Sequence, residues 1–242
     1  MSRQWLPAAV LIGAALVAGT AACGGQRPIA SAIAPTTTAA PVVIQVSDVK
    51  NAMQSASAVH VKGTMTDSSS NISLDVQLNN NGTASGTIGM GGASYPIVLA
   101  DKVVYIQFTA DVVKSAGLDA TSGPGKTLVN KWVPSTSPLM SGSDLGTSVA
   151  PLLDYNQFIT QIVQHIPSGA MKRGKSDVVD GTPVTDYTMS DGTPAAIATS
   201  TPHYLMQLKP SPSDGGSGEL DFTGWNQPVP VQAPSKSEIY SG

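Results

Sequence analysis

Cysteine occurs once in the 242 residues, at Cys23. An internal disulfide is therefore excluded, and with it a small fold stapled by bridges. Aromatic residues make up only 5% of the chain and charged residues only 12%. With 13 Lys and Arg against 16 Asp and Glu there is no basic excess of the kind a nucleic-acid surface requires. The one dense basic group, Lys172, Arg173 and Lys175, suits a solvated loop or contact with an anionic lipid headgroup. Histidine is equally scarce, and His60, His165 and His203 fall in widely separated segments. GxSxG, HExxH and the SxxK–KTG pair are all missing, so no local motif supplies a nucleophile with its base or a zinc set. The glycines from Gly82 to Gly92 form neither GxGxxG nor a Walker loop. The expectation is a non-enzymatic chain without metal or cofactor.

What is present begins at the N-terminus. A basic start at Arg3, an uncharged run over Leu6–Val17 and small residues at Gly19, Thr20, Ala21 and Ala22 have the order of an export signal. The run is short of the ~20 residues that span a bilayer. A lone thiol in an exported chain is a liability, and the arrangement resembles a bacterial lipoprotein signal, in which the cysteine is acylated and becomes the mature N-terminus. That resemblance makes Cys23 the lipidation site. Several acyl chains, at roughly 0.8 kcal/mol per buried methylene, make a firm membrane anchor. The predicted organisation is a signal peptide over 1–22, the lipidated cysteine with a flexible Gly/Pro/Ser/Thr/Ala tether over 23–41, and a folded domain over 42–242. The expected location is the outer face of the cell membrane, anchored by lipid in the envelope.

Abundant Gly, Ser, Thr, Ala and Val with few aromatics favour short strands and turns. The spacing predicts a helix over Asp48–Ala58, with Ser47 as N-cap and Val49, Ala52, Met53 and Ala56 on one face. Period-two alternation then predicts a hairpin. Val59, Val61 and Met65 precede a turn at Asp67–Asn71, and Ile72, Leu74, Val76 and Leu78 follow it, which leaves His60 on the solvent side. Asn81-Gly82 marks a turn, Thr83–Met90 a glycine-weakened strand, and Tyr95–Leu99 pairs with Val103–Phe108. A short helix is expected at Asp111–Ala116, a loop over Gly117–Thr127 and a short strand at Lys131-Trp132-Val133.

A second amphipathic helix is expected over Tyr155–Ile166, capped by Asp154 and ended by Pro167, after a shorter helix at Asp144–Leu153 interrupted at Pro151. Strands follow at Lys175–Val179, Val184–Met189, Ala195–Ala198, His203–Lys209, Gly218–Phe222 and Val229–Val231, with a Ser/Pro/Gly-rich loop over Lys209–Gly218. The pattern specifies α+β: helices on a long antiparallel sheet, with glycines that permit curvature and close approach. The apolar set includes Met53, Val61, Ile72, Leu74, Val76, Leu78, Val104, Ile106, Phe158, Ile162, Leu205, Met206, Leu208 and Phe222. Ordinary core packing and the lining of a lipid pocket use the same residue types, and the pattern does not separate them.

The order Cys23, tether, short helix running into AVHVKGTM, hairpins, ADKVVYIQF, KWV, helix, VVDGTPVTDYTM, TPHYLMQL and ELDFTGWNQPVPVQAP resembles the actinobacterial envelope lipoproteins of the lipoprotein-carrier (LolA-like) group, which includes mycobacterial lipoproteins that bind and transport lipids. The resemblance covers Ser47–Pro234 and implies one strongly curved antiparallel sheet, a half-barrel closed by a few helices around an apolar cavity. It further implies that Val61, Leu74, Val76, Val104, Ile106, Phe158 and Ile162 face acyl chains, with Tyr95, Tyr105 and Trp132 near the mouth of the cavity. The function it implies is binding an amphiphilic lipid or glycolipid and carrying or presenting it, with an envelope protein or transporter as a further partner. The competing expectation is a structural or protein-interaction lipoprotein with a packed core and no ligand.

Overall fold

The computed structural model describes residues 43–66, 71–140, 145–209 and 217–241. The expected signal peptide, Cys23 and the expected tether lie outside the described residues. So do 67–70 of the expected first hairpin turn and 210–216 of the Lys209–Gly218 loop.

The first helix, α1, runs over Val46–Ser55. It starts two residues earlier than the sequence pattern suggested, because Gln45 and not Ser47 is the N-cap and its N–H donates to the Asp48 carboxylate at 3.2 Å. Val49, Ala52 and Met53 form its buried stripe, as their spacing requires. Strands β1 (Ala58–Thr66), β2 (Asn71–Asn79), β3 (Thr83–Met90), β4 (Ala93–Ala100) and β5 (Val103–Phe108) follow as consecutive hairpins. Next come α2 (Ala110–Ser115), capped by the Thr109 hydroxyl, α3 (Gly123–Leu128) and the short β6 (Lys131–Pro134). The segment carrying α3 was expected to be loop throughout; Pro124 in its first turn starts a helix there, since a proline at that point forfeits no helical hydrogen bond.

Helix α4 (Leu145–Leu153) contains Pro151, and α5 (Tyr155–His165) begins where the Asp154 carboxylate accepts from the Gln157 N–H at 2.8 Å. Strands β7 (Lys172–Val179), β8 (Thr182–Thr188), β9 (Pro194–Ala198), β10 (Leu205–Leu208) and β11 (Ser217–Thr223) complete the order. The strand expected at Val229–Val231 does not form. Pro228 and Pro230 have no N–H to give a ladder, and the segment is held by side chains instead. Among the described residues, no helix is long and apolar enough to cross a membrane.

All eleven strands belong to one antiparallel sheet, in the order β6-β5-β4-β3-β2-β1-β11-β10-β9-β8-β7. The α+β class and the single sheet stand; the half-barrel does not. The sheet is an open layer whose end strands, β6 and β7, do not pair with each other, so it does not close toward a barrel. No bulge interrupts the ladders from β11 through β1 to β6, which keep one register without a shift. Register shifts occur only at Leu205/Gln207 and Arg173/Ser176, toward the β7 end.

The glycines that suggested curvature serve close approach. At Gly63 (φ 150°) a Cβ would strike the Glu219 carbonyl of β11, and at Gly86 (φ 149°) the Asp75 carbonyl of β2. Both strands tolerate only glycine at those points.

Candidate functional site

Antiparallel register puts directly opposed residues on the same face, so the β11–β6 half of the sheet carries apolar side chains in rows that cross the strands. One row holds Val59, Leu78, Ala84, Leu99 and Val104. The next holds Phe222, Val61, Val76, Ile97, Ile106 and Val133. A third holds Leu220, Leu74, Ile88 and Tyr95, and the last holds Met65, Ile72, Met90 and Ala93.

Burial changes from row to row. Val61, Val76, Ile106, Val133 and Phe222 expose no surface, so no void large enough for water touches them. In the third row Leu74, Ile88 and Leu220 are buried and Tyr95 is half-buried. In the last row Ile72 and Met90 are half-buried and Met65 is 44% exposed. The apolar face thus emerges from its cover at the Met65–Ile72–Met90 row.

Most of the lining residues inferred from the sequence come together here. Val61, Leu74, Val76, Val104 and Ile106 occupy this face beside Tyr95, and Phe158 of α5 joins the same core. Ile162, one turn further along α5, is partly buried against it. Two residues go elsewhere. Tyr105 opposes Val98 and Pro134, and Trp132 opposes Gln107, which puts both on the far face of the sheet. Tyr95, Tyr105 and Trp132 therefore share no single opening. Sequence reading also overlooked Met90 as the register neighbour of Ile72. The signal was available in principle, because a turn at Asn81-Gly82 fixes which β3 residue faces Ile72.

The far face is polar. His60 Nε2 lies 2.7 Å from Asp75 Oδ1, and Lys62 Nζ lies 3.1 Å from Asp75 Oδ2. Burial pushes the Asp75 carboxyl up, but hydrogen bonds from His60 and Lys62 outweigh it and hold the group below its ordinary value. Each histidine has a local partner. His60 takes Asp75, His165 Nδ1 is 2.7 Å from the Gln161 carbonyl, and buried His203 is 3.0 Å from the Ala198 carbonyl. Thr223 Oγ1 stands 3.4 Å from His60 Nδ1, but both ring partners sit on an open sheet surface where no buried charge is available to activate a hydroxyl. Among the described residues no group of His, Cys, Asp or Glu could hold a metal ion.

The C-terminal segment crosses from β1 to β6. The Asn226 side-chain oxygen accepts from the Ser57 N–H at 2.8 Å, and Asn79 pairs both ways with the Val229 backbone at 2.8 and 3.3 Å. Further on, Trp132 exchanges hydrogen bonds with Glu238 and Tyr240, each at 2.9 Å, so the segment ends along the β6 edge.

No protein-family model matches the chain, and no curated protein matches it. Among solved structures, 30 chains match it. One is the crystal structure of LppX, a lipoprotein of Mycobacterium tuberculosis, with a TM-score of 0.45 at 18% identity, covering 77% of this chain and 96% of that one.

Proposed function

We propose that the protein is an exported lipoprotein, anchored through acylated Cys23 to the outer face of the cell membrane, that binds an amphiphilic lipid or glycolipid and carries or presents it in the envelope. The observation that supports the reading most is the Met65–Ile72–Met90 row, an apolar strip that is partly open to solvent and continuous with fully buried apolar rows. An acyl chain lying on this strip gains roughly 25 cal/mol for each Å² of apolar surface removed from water. Deeper entry would require α4 and α5 to part from the sheet. Val61, Leu74, Val76, Val104, Ile106, Phe158 and Ile162 would then meet the chain, and Tyr95, one row in from the opening, would meet the region near the headgroup. Tyr105 and Trp132, on the far face, are not part of this path.

The fully buried rows favour a second reading, in which the core stays packed and the anchored domain recognises an envelope protein. Native mass spectrometry of the full chain purified from an actinobacterial host distinguishes the two. A stoichiometric lipid that leaves on organic extraction supports the carrier. A mass equal to the acylated chain alone, unchanged after incubation with lipid vesicles, supports the packed scaffold. Anchoring is tested separately. Cys23→Ala should move the protein from the detergent phase to the aqueous phase, and unchanged partitioning would refute lipidation.

A further inference from the structure

On the face opposite the apolar rows, we infer a second binding site whose ligand is a neutral saccharide. Two grooves lie there side by side. One, of about 460 Å³, is bounded by His60, Lys62, Asp221 and Thr223 and by the tip of the β7–β8 hairpin at Val178–Asp180. The other, of about 440 Å³, runs between Lys175, Asp177 and Asp186 on one side and Lys209 on the other. Gln207 lines both, so the two are neighbours on this face and together form the trough proposed here. Each half is the size of a small-molecule site.

The charges of the trough select the ligand class. Every lysine in it is already paired: Lys62 with Asp75 at 3.1 Å, Lys175 with Asp177 at 2.9 Å, and Lys209 with Glu219 at 2.8 Å. Around these three lysines stand Asp75, Asp177, Asp180, Asp186, Glu219 and Asp221, so acidic groups outnumber them and the local field disfavours a phosphate or sulfate. These pairs are largely solvent-exposed and contribute little stability. The Gln207 side-chain N–H donates to Asp221 Oδ1 at 2.9 Å, which couples an amide and a carboxylate where the two grooves meet.

A lining that mixes donors and acceptors without an excess of positive charge matches vicinal hydroxyls, because each hydroxyl donates and accepts at once. Pro194, Ala195 and Ala196 add a small apolar floor for the C–H side of a sugar ring. The sheet separates this trough from the Met65–Ile72–Met90 strip, so the site stands or falls independently of the lipid reading.

The test is saturation-transfer NMR on the full chain in detergent, with maltotetraose, a neutral arabino-oligosaccharide and inorganic phosphate as probes. Saturable transfer to at least one oligosaccharide, insensitive to salt, and none to phosphate is expected. Gln207→Ala and Asp221→Asn should each weaken binding about tenfold, the loss of one good hydrogen-bonded contact. Asp180→Asn, at an exposed hairpin tip, gives a third variant that leaves the ladder intact. Melting temperatures accompany each variant, so that loss of binding is scored only on folded protein. Absence of transfer from both oligosaccharides at millimolar concentration overturns the site, as does transfer that survives all three folded variants or phosphate that competes. Where an oligosaccharide binds, competition by a glycolipid bearing the same sugars identifies the source. Stronger competition than by the free sugar points to a lipid headgroup, and equal competition to a free envelope glycan.

Discussion

The hydroxyl of Tyr155, the first residue of α5, donates to the carbonyl oxygen of Met53 in α1 across 2.6 Å, joining positions 102 residues apart. Both groups are buried, and the carbonyl belongs to the last turn of α1, where intrahelical donors run out. Burial pushes the phenol well above its ordinary value, and the nearby Tyr204 adds to the effect. Beside this bond, Lys50 Nζ donates to the Ile166 carbonyl at 2.7 Å, so the C-terminal end of α5 is tied to α1 as well. The two helices are fixed to each other at both ends of α5.

Tyr155→Phe keeps the ring in the core and removes only the donor. The Met53 carbonyl is then buried without a partner, which costs about 1–3 kcal/mol. A urea titration should show an earlier midpoint with an unchanged slope. An unaltered midpoint would mean that water or another donor reaches the carbonyl.

Asn79 is 2% exposed and serves as the clamp for the C-terminal segment through its paired bonds with Val229. Asn79→Ala should destabilise by about 1 kcal/mol, since it removes two hydrogen bonds to backbone groups that are partly buried. Hydrogen exchange adds a positional readout. The Val229 amide should lose protection while the amide of Ile106, in the middle of β5, keeps it. Equal loss at both sites would mean that the substitution weakens the whole sheet rather than the clamp.

Asp75 is the carboxyl that makes the sheet face sensitive to acid. Its folded-state value is depressed, so its contribution to stability is complete above the ordinary value of 3.8 and is lost as pH falls through the lower folded value. The group is about half exposed, so the effect is small, under about 1 kcal/mol. Urea midpoints measured from about pH 5 down to about pH 2 should fall more steeply for the parent chain than for Asp75→Asn. Parallel curves would show that the His60 and Lys62 contacts do not persist in solution.

The local grammar of the fold was legible. Alternation through Val59, Val61, Leu74, Val76 and Leu78 set the strands and the buried face, and the stripe Tyr155, Phe158, Ile159 with Asp154 before it set α5 and its cap. What could not be read depended on pairings between distant segments. VVYIQF carries apolar residues on both faces, and only the register with β4 and β6 shows that Val104 and Ile106 go to the helices while Tyr105 goes to the far side. The glycines were recognised as special, yet Gly63 answers to Glu219 on β11, a neighbour 156 positions on in the chain that no local pattern reveals. The shape of the sheet failed for the same reason, because which strands form its two unpaired ends is set by segments far apart in the chain.

The open apolar row gives the sharpest test of the carrier reading. Met65, Ile72 and Met90 are register neighbours on three adjacent strands, and none is fully buried. Met65→Lys, at the most exposed of them, removes little core packing and should shift stability by less than about 0.5 kcal/mol. A charged head on the strip nonetheless opposes an acyl chain lying there, because the ammonium would have to give up water without a partner. Lipid recovered per mole of purified protein should drop several-fold for Met65→Lys and remain near the parent level for Met65→Leu. Leu118→Lys, at an exposed apolar residue outside both the strip and the trough, is the control for added charge alone and should leave lipid content unchanged. If Met65→Lys retains its lipid, entry is not by this row. If it loses lipid no more than Leu118→Lys does, the strip is ordinary surface and the packed-scaffold reading takes precedence.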